Sequence, residues 1–363
     1  MKTKLFKLLP CALALFISTL PVFSQPVLVD ANSKIEYAIE WHLNGGTQNP
    51  ANTDTYTAED GLVLATPTRS GYTFNGWYTN ADLSGSKVTS IPKGSTQKKT
   101  FYAGWVITKE QAIKIMQDEM VTVIPAGKKA NMENFAGTEG NQVINAYKIA
   151  KHEITQDVYM AVMGYNPSSF KNNPADGEVQ EKRPVENVSW YDAIYFCNKL
   201  SMIMGLTPAY SVDGETNPEK WLYTPHDGNS VWGTVTCNYS ANGFRLPTEG
   251  EWEMAARGGV NGGWDYKYAG SNRDEDVARN YWDYSNKTHE VGTKRPNELG
   301  LYDMTGNVWE WCDNLYSPSS SSRSIRGGSF SNMSDYCEVS FRGYSSPSNR
   351  RESYGIRVAC TAF

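Results

Sequence analysis

Cys337 stands where a reactive group would be most useful. It closes a polar stretch that begins with Arg326-Gly-Gly-Ser-Phe330 and runs on through Asn332. A nucleophilic cysteine needs a base or a positive neighbour that holds it as the thiolate. No histidine lies near Cys337 in sequence, and Asp335 and Glu338 would raise its pKa. A disulfide is the alternative, with Cys312 as the preferred partner. Histidine offers little metal chemistry: His42, His152, His226 and His289 are scattered, with no His-x-x-x-His pair. No Cys-x-x-Cys pair occurs either, which argues against a zinc ribbon or a thioredoxin-like site. Aromatic chemistry is better supplied. Trp309, Phe330, Tyr336, Tyr344 and Tyr354 could line a cleft and stack on sugars or peptides, or they could be core.

These residues need elements to position them. Ser189-Trp-Tyr-Asp192 opens a helix running to about Met204, with Ser189 as N-cap. Thr248-Glu-Gly-Glu251 is a capping box for a helix through Arg257, stopped by Gly258-Gly259. The rest of this half alternates short strands with long glycine-, asparagine- and serine-rich loops. A region with so little regular structure must be held by polar side chains, disulfides or ions. Upstream the pattern differs. Residues 35–105 alternate polar and apolar positions, with strands at Ile35–Trp41, Gly71–Tyr78 and Thr100–Trp105 and a turn at Asn44-Gly45-Gly46. Residues 106–118 read as a short helical linker, and a second domain fills 119–363. Tyr72, Trp77 and Trp105 are expected in the core of the small first domain.

The chain has 363 residues and a net charge of −5, so two domains are expected and a general nucleic-acid binder is not. Lys2, Lys4 and Lys7 precede a short apolar run from Leu8 to Ile17. This predicts a signal peptide over residues 1–24 and a secreted, periplasmic or cell-surface protein. Cys11 leaves with it, and no later run is long and apolar enough for a transmembrane anchor.

Two resemblances sharpen these readings. Leu43-Asn-Gly-Gly46, Gly71-Tyr-Thr-Phe-Asn-Gly-Trp-Tyr78 and Tyr102-Ala-Gly-Trp105 resemble the Listeria–Bacteroides repeat of internalin-type surface proteins. That implies a small β-grasp-like spacer or contact module without chemistry. The second resemblance rests on His152-Glu-Ile-Thr155, Arg183-Pro-Val-Glu-Asn-Val-Ser-Trp190, Asn242-Gly-Phe-Arg-Leu-Pro-Thr-Glu-Gly-Glu-Trp-Glu253, Gly300-Leu-Tyr-Asp-Met-Thr-Gly-Asn-Val-Trp-Glu-Trp311, Arg326-Gly-Gly-Ser-Phe330 and Tyr354-Gly-Ile-Arg-Val358. In this order they resemble the formylglycine-generating enzyme (sulfatase-modifying factor) family. The implied fold class is α+β, with the large domain irregular, C-type-lectin-like and low in regular secondary structure.

The family's enzymes oxidise a sulfatase cysteine with oxygen and a copper ion held by two thiolates. The resemblance puts Ser329 and Trp309 in the pocket and makes Cys337 the second thiol. Asn332 stands where the first thiol would be. An amide is a poor Cu(I) ligand, so no copper cofactor is expected. The resemblance also implies calcium at Asp303, Gly306, Val308 and Glu310, through two carboxylates and two backbone carbonyls. A hard cation wants such oxygens, and the tight Met304-Thr-Gly turn lets them converge. It further implies a Cys197–Cys360 disulfide. With Cys312–Cys337, that leaves Cys237 unpaired. Three functional readings follow: a non-catalytic binder of a protein, peptide or glycan in the former active cleft; a formylglycine-generating oxidase or accessory factor for exported sulfatases; or a structural surface component.

Overall fold

The computed structural model describes residues 34–132, 142–228, 230–262 and 265–362. The expected signal peptide lies outside them. The first region contains β1 (Glu36–His42), β2 (Thr55–Thr57), β3 (Leu62–Val63), β4 (Thr73–Tyr78), β5 (Ser90–Ile91) and β6 (Lys99–Val106). A four-stranded sheet runs β2-β1-β6-β4, and β3 and β5 form a separate ribbon. The central β1/β6 pair is parallel and its outer pairings are antiparallel. The expected turn after β1 is present: Asn44 and Gly45 both take positive φ, 48° and 81°. Residues 36–106 contain no helix. The module's core is aromatic, with Tyr56, Trp77, Phe101 and Trp105 all buried and Trp41 tilted against Trp77 at 4.8 Å.

The linker is a helix, α1 (Lys109–Glu119), opened by a capping box between Thr108 and Gln111. It runs directly into β7 (Met120–Met132), which pairs with β8 (Gln142–Ala150). Then come α2 (Gln156–Met163), α3 (Trp190–Ile203), the hairpin of β9 (Tyr210–Val212) and β10 (Val235–Cys237), α4 (Glu249–Ala256) and the short α5 (Asp274–Val277). The chain ends with β11 (Trp309–Leu315), β12 (Arg323–Arg326), β13 (Gly343–Ser345), β14 (Tyr354–Gly355) and β15 (Ala359–Thr361). Here the sheets are β13-β12-β11-β14 and β15-β8-β7. The two anticipated capping boxes form: Ser189 caps α3 against Asp192, and Thr248 caps α4 against Glu251.

Buried ion pairs hold the long loops together. Arg326, Arg357 and Arg183 are fully buried. Arg326 donates to Glu249 at 3.1 Å and to Glu253 at 2.6 Å, both on α4. Arg245 makes a fork to Glu251 with both bonds at 2.6 Å, and Arg350 reaches Asp192 at 2.7 Å. Disulfides take no part. All five described cysteines carry free thiols, so neither Cys197–Cys360 nor Cys312–Cys337 forms. Their surroundings explain it for the second pair. The Cys312 thiol is buried near Glu249 and Arg326, whereas Cys337 lies beneath Gly328 and Ser329. For the first, Cys197 lies buried on α3 and Cys360 lies in β15 near Arg245 and Lys148.

Candidate functional site

The loop after β12 carries the expected pocket residues. Gly327 and Gly328 take φ of 94° and 76°, a region that favours glycine. At Gly328 a Cβ would come within 2.4 Å of the Cys337 sulfur, so only glycine permits this chain path. Ser329 is buried, and its hydroxyl donates to Asn332 Oδ1 at 2.6 Å. The Asn332 amide N–H donates to the Ser329 carbonyl at 3.0 Å, closing the turn. Asn332 therefore acts as a structural partner of Ser329. Cys337 is wholly buried, and burial pushes its thiol up to about 12. Such a thiol stays protonated at neutral pH and is no nucleophile.

The aromatic residues separate into two sets. Trp309, Phe330 and Tyr354 are buried. The Trp309 ring packs 6.0 Å from Phe341, and Phe330 meets Phe170 edge-on at 5.3 Å. Tyr336 and Tyr344 are exposed. So the five do not line one cleft: three are core and two are surface. The exposed aromatics nearest to Asn332 in the backbone network come from another loop. Tyr281, Trp282 and Tyr284 are 40%, 50% and 72% exposed and pack on one another at 5.4–6.3 Å. The Tyr281 N–H donates to the Asn332 carbonyl at 2.9 Å. Asn280 donates to Asp274 at 2.8 Å, and Ser334 donates to the same carboxylate, locking the two loops together. Three rings in the polar stretch Asn280–Tyr284 were the available sequence signal for this surface.

Asp303 and Glu310 sit deeper. Asp303 is buried in the left-handed region with φ 56°. Its Oδ2 accepts from the Gly292 N–H at 2.7 Å, and its Oδ1 has no partner. Burial holds its carboxyl above the ordinary range. Glu310 is also raised by burial, but Arg357 donates to both its oxygens and Trp252 Nε1 reaches it at 2.5 Å. A third buried acid, Glu153, accepts from Asn307 Nδ2 at 2.7 Å and from the Val308 N–H at 3.1 Å. Its carboxyl is pushed well up by burial and by the charges of Asp303 and Glu310. The unpartnered Asp303 oxygen fits a cation. Glu310 already has its positive partner. Among the described residues no group of three or more His, Cys, Asp or Glu side chains is arranged to hold a metal.

Comparison with known proteins places this geometry. The profile of the sulfatase-modifying factor enzyme 1-like domain matches residues 107–362, and that of the Listeria–Bacteroides repeat domain matches residues 37–104. The chain belongs to the sulfatase-modifying factor family. Its relatives include a protein named chaperone protein LppX from Paenibacillus barcinonensis, 36% identical over 266 residues, covering 67% of this chain and 89% of that protein. The formylglycine-generating enzyme of Streptomyces coelicolor is 32% identical over 160 residues, covering 35% of this chain and half of the enzyme. Among solved structures, Treponema denticola variable protein 1 is 38% identical with a TM-score of 0.58, covering 67% of this chain and 94% of that one. Within the family fold, this chain thus carries Asn332 hydrogen-bonded to Ser329, and Cys337 sealed below.

Proposed function

We propose that this sulfatase-modifying factor domain is a non-catalytic binding domain that holds a partner on the surface around Asn332. The observation that carries this reading is the Ser329–Asn332–Cys337 arrangement. One thiol is replaced by an amide committed to Ser329, and the other is buried and protonated. A two-thiolate copper site cannot assemble from them. The exposed Tyr281–Trp282–Tyr284 cluster beside Asn332 offers flat apolar faces to a protein, peptide or glycan. A protein partner is favoured by the relative named as a chaperone. Export to the periplasm or cell surface belongs to the same proposal and rests on Lys2, Lys4, Lys7 and the apolar run after them. Among the described residues no helix is long and apolar enough to cross a membrane. The test is Cu(I) titration under reducing conditions, followed by incubation with a Cys-x-Pro-x-Arg peptide and oxygen. Wild type should bind no stoichiometric copper and leave the peptide cysteine unchanged. Copper binding with peptide oxidation would establish the oxidase reading instead.

We also propose calcium at Asp303 Oδ1, with the Gly306 and Val308 carbonyls as further oxygen donors; Glu310 is not among them, because Arg357 already takes both its oxygens. An ion bound only by the folded state adds stability, about 2.7 kcal/mol at a hundred times Kd. Wild type should melt at a higher temperature in calcium than in chelator, and Asp303→Ala should abolish that difference. Equal melting of wild type in both conditions would remove calcium from the proposal.

A further inference from the structure

His289 draws two distant residues into one line. Its Nδ1 lies 2.7 Å from Glu178 Oε1, and its Nε2 lies 2.9 Å from the Ser285 hydroxyl. Glu178 is 111 positions upstream, on the loop between α2 and α3. Burial alone would raise the Glu178 carboxyl, but its bond to His289 holds it below the ordinary range. It is therefore ionised at neutral pH and accepts from Nδ1–H. That fixes the tautomer: Nε2 keeps its lone pair and accepts the Ser285 proton. The hydroxyl's other neighbour, the Lys287 carbonyl, is farther away at 3.3 Å. Burial, with Arg279 nearby, holds the imidazole below its usual 6.5 against the opposing charges of Glu178 and Asp283. The ring is thus neutral at pH 7, the form a general base needs.

The surroundings fix this trio and leave the serine open. The His289 N–H donates to Asn307 Oδ1 at 3.0 Å, and the Asn307 amide donates back to the His289 carbonyl at 3.3 Å. Buried Arg183 donates to the Thr288 hydroxyl at 3.1 Å and to the Thr288 carbonyl at 2.6 Å. Ser285 itself is half-buried. Tyr284 and Asn286 on either side of it are both left-handed, with φ of 53° and 49°. A tyrosine rarely adopts that region, and such strain gathers where a side chain must be aimed. The N–H groups of Ser285, Asn286 and Lys287 donate to no group among the described residues. They remain for the oxygen of an attacked carbonyl, and the N–H after a nucleophilic serine commonly has that role. The exposed rings of Tyr281, Trp282 and Tyr284 form the adjoining wall.

We propose that Ser285, His289 and Glu178 form a hydrolytic site for carboxylic esters that carry a flat apolar group. This goes beyond the binding reading, because the loss of copper chemistry at Ser329 and Cys337 concerns another loop. Ser285 Oγ attacks the ester carbonyl as its proton passes to His289 Nε2. The bond from the carbonyl carbon to the alkoxy oxygen breaks, and the alcohol leaves with that proton. Water then gives a proton to Nε2 and attacks the acyl-serine. The bond between Oγ and the acyl carbon breaks, the proton returns to Ser285, and a carboxylic acid is released. Glu178 stays ionised and steadies the imidazolium in both steps, while the flat group rests on the rings. The test uses the full chain with phenyl acetate and naphthyl acetate, and with a fluorophosphonate that labels an activated serine by displacing fluoride. Wild type should turn over both esters and carry the label on Ser285 in a peptide map. Ser285→Ala should abolish the label and reduce turnover to the buffer rate with unchanged thermal stability. His289→Gln and Glu178→Gln should each lower kcat by about a hundredfold or more with KM little changed, a split that loosening of the fold would not produce. Trp282→Ala should raise KM for naphthyl acetate more than for phenyl acetate. No turnover, turnover that survives Ser285→Ala, full kcat in His289→Gln, or a label on another residue would overturn the proposal. Unchanged KM values in Trp282→Ala would overturn the preference for a flat group.

Discussion

The module and the family domain solve the same stability problem in different ways. The module has about seventy residues, too few to bury a large fraction of its surface. It compensates with large rings: Phe74 meets Trp77 and Trp105 at 5.4 and 5.5 Å, and Trp77 is almost wholly buried. The domain is larger but loop-rich, and it sinks whole arginines into its interior against the carboxylates of α4 and β11. A ring packs against whatever fits its shape. A buried guanidinium is acceptable only with its own partners in place, because desolvation of an unpaired charge is costly. The contrast suggests that the module's core tolerates repacking, whereas the domain's interior fixes its loops in one arrangement.

Arg357→Ala strikes this contrast hardest. It would strand Glu310 beside Glu153 and Asp303, all buried. Removing one partner of a buried pair costs about 3–5 kcal/mol, and denaturant unfolding should show a loss of that size. Hydrogen exchange of the β1 and β6 amides should be unchanged. A loss below about 1 kcal/mol would show that the interior does not depend on its ion pairs.

Glu186 gives a second, pH-dependent view of the domain interior. Burial raises its carboxyl from 4.5 to about 7, and its Oε2 has no partner. Below pH 4.5 both folded and unfolded chains are protonated there. Between about 4.5 and 7 the folded state keeps a proton that the unfolded state has lost, so stability falls as pH rises through that window. Glu186→Gln should remove a fall on the order of 3 kcal/mol, as seen by comparing urea midpoints at pH 5 and pH 8. Parallel pH profiles for the two proteins would refute it.

The junction between the halves should respond least. The Arg69 and Glu181 side chains keep 10% and 16% of their surface exposed. Arg69→Ala should cost about 2 kcal/mol, between an exposed pair and a fully buried one. Its effect should shrink as salt is added. A cost as large as that of Arg357→Ala would mean that the two regions share one stabilising network.

Local features were legible in the sequence because local bonds decide them. The Ser189 and Thr248 caps read correctly, since each is satisfied within three residues. The need for polar stabilisation of the loops was also legible. Its identity was not: Arg326 lies 77 residues from Glu249, and Arg357 lies 47 from Glu310. Pairings at such separations depend on how the strands pack, which no periodicity reports. Disulfides were the wrong choice among the possible staples, because arginine–carboxylate pairs occupy that role. At the candidate site, the missing thiol was visible as Asn332. That its amide is taken up by Ser329 appears only once the turn is folded. The aromatic residues were harder to sort, because Trp309 and Tyr344 look alike in sequence, and only their places on the inner strand β11 and the edge strand β13 bury one and expose the other.

The Gly328 backbone draped over the Cys337 sulfur has a kinetic consequence. A small alkylating reagent cannot reach that atom while the loop is closed. Modification must wait for the loop to lift, so the thiol behaves as a clock for local opening. In mildly alkaline solution with excess reagent, its labelling rate would become independent of reagent concentration and equal the opening rate. One sulfur, inert as a nucleophile in the closed state, thereby records how often the floor of the Asn332 surface breathes.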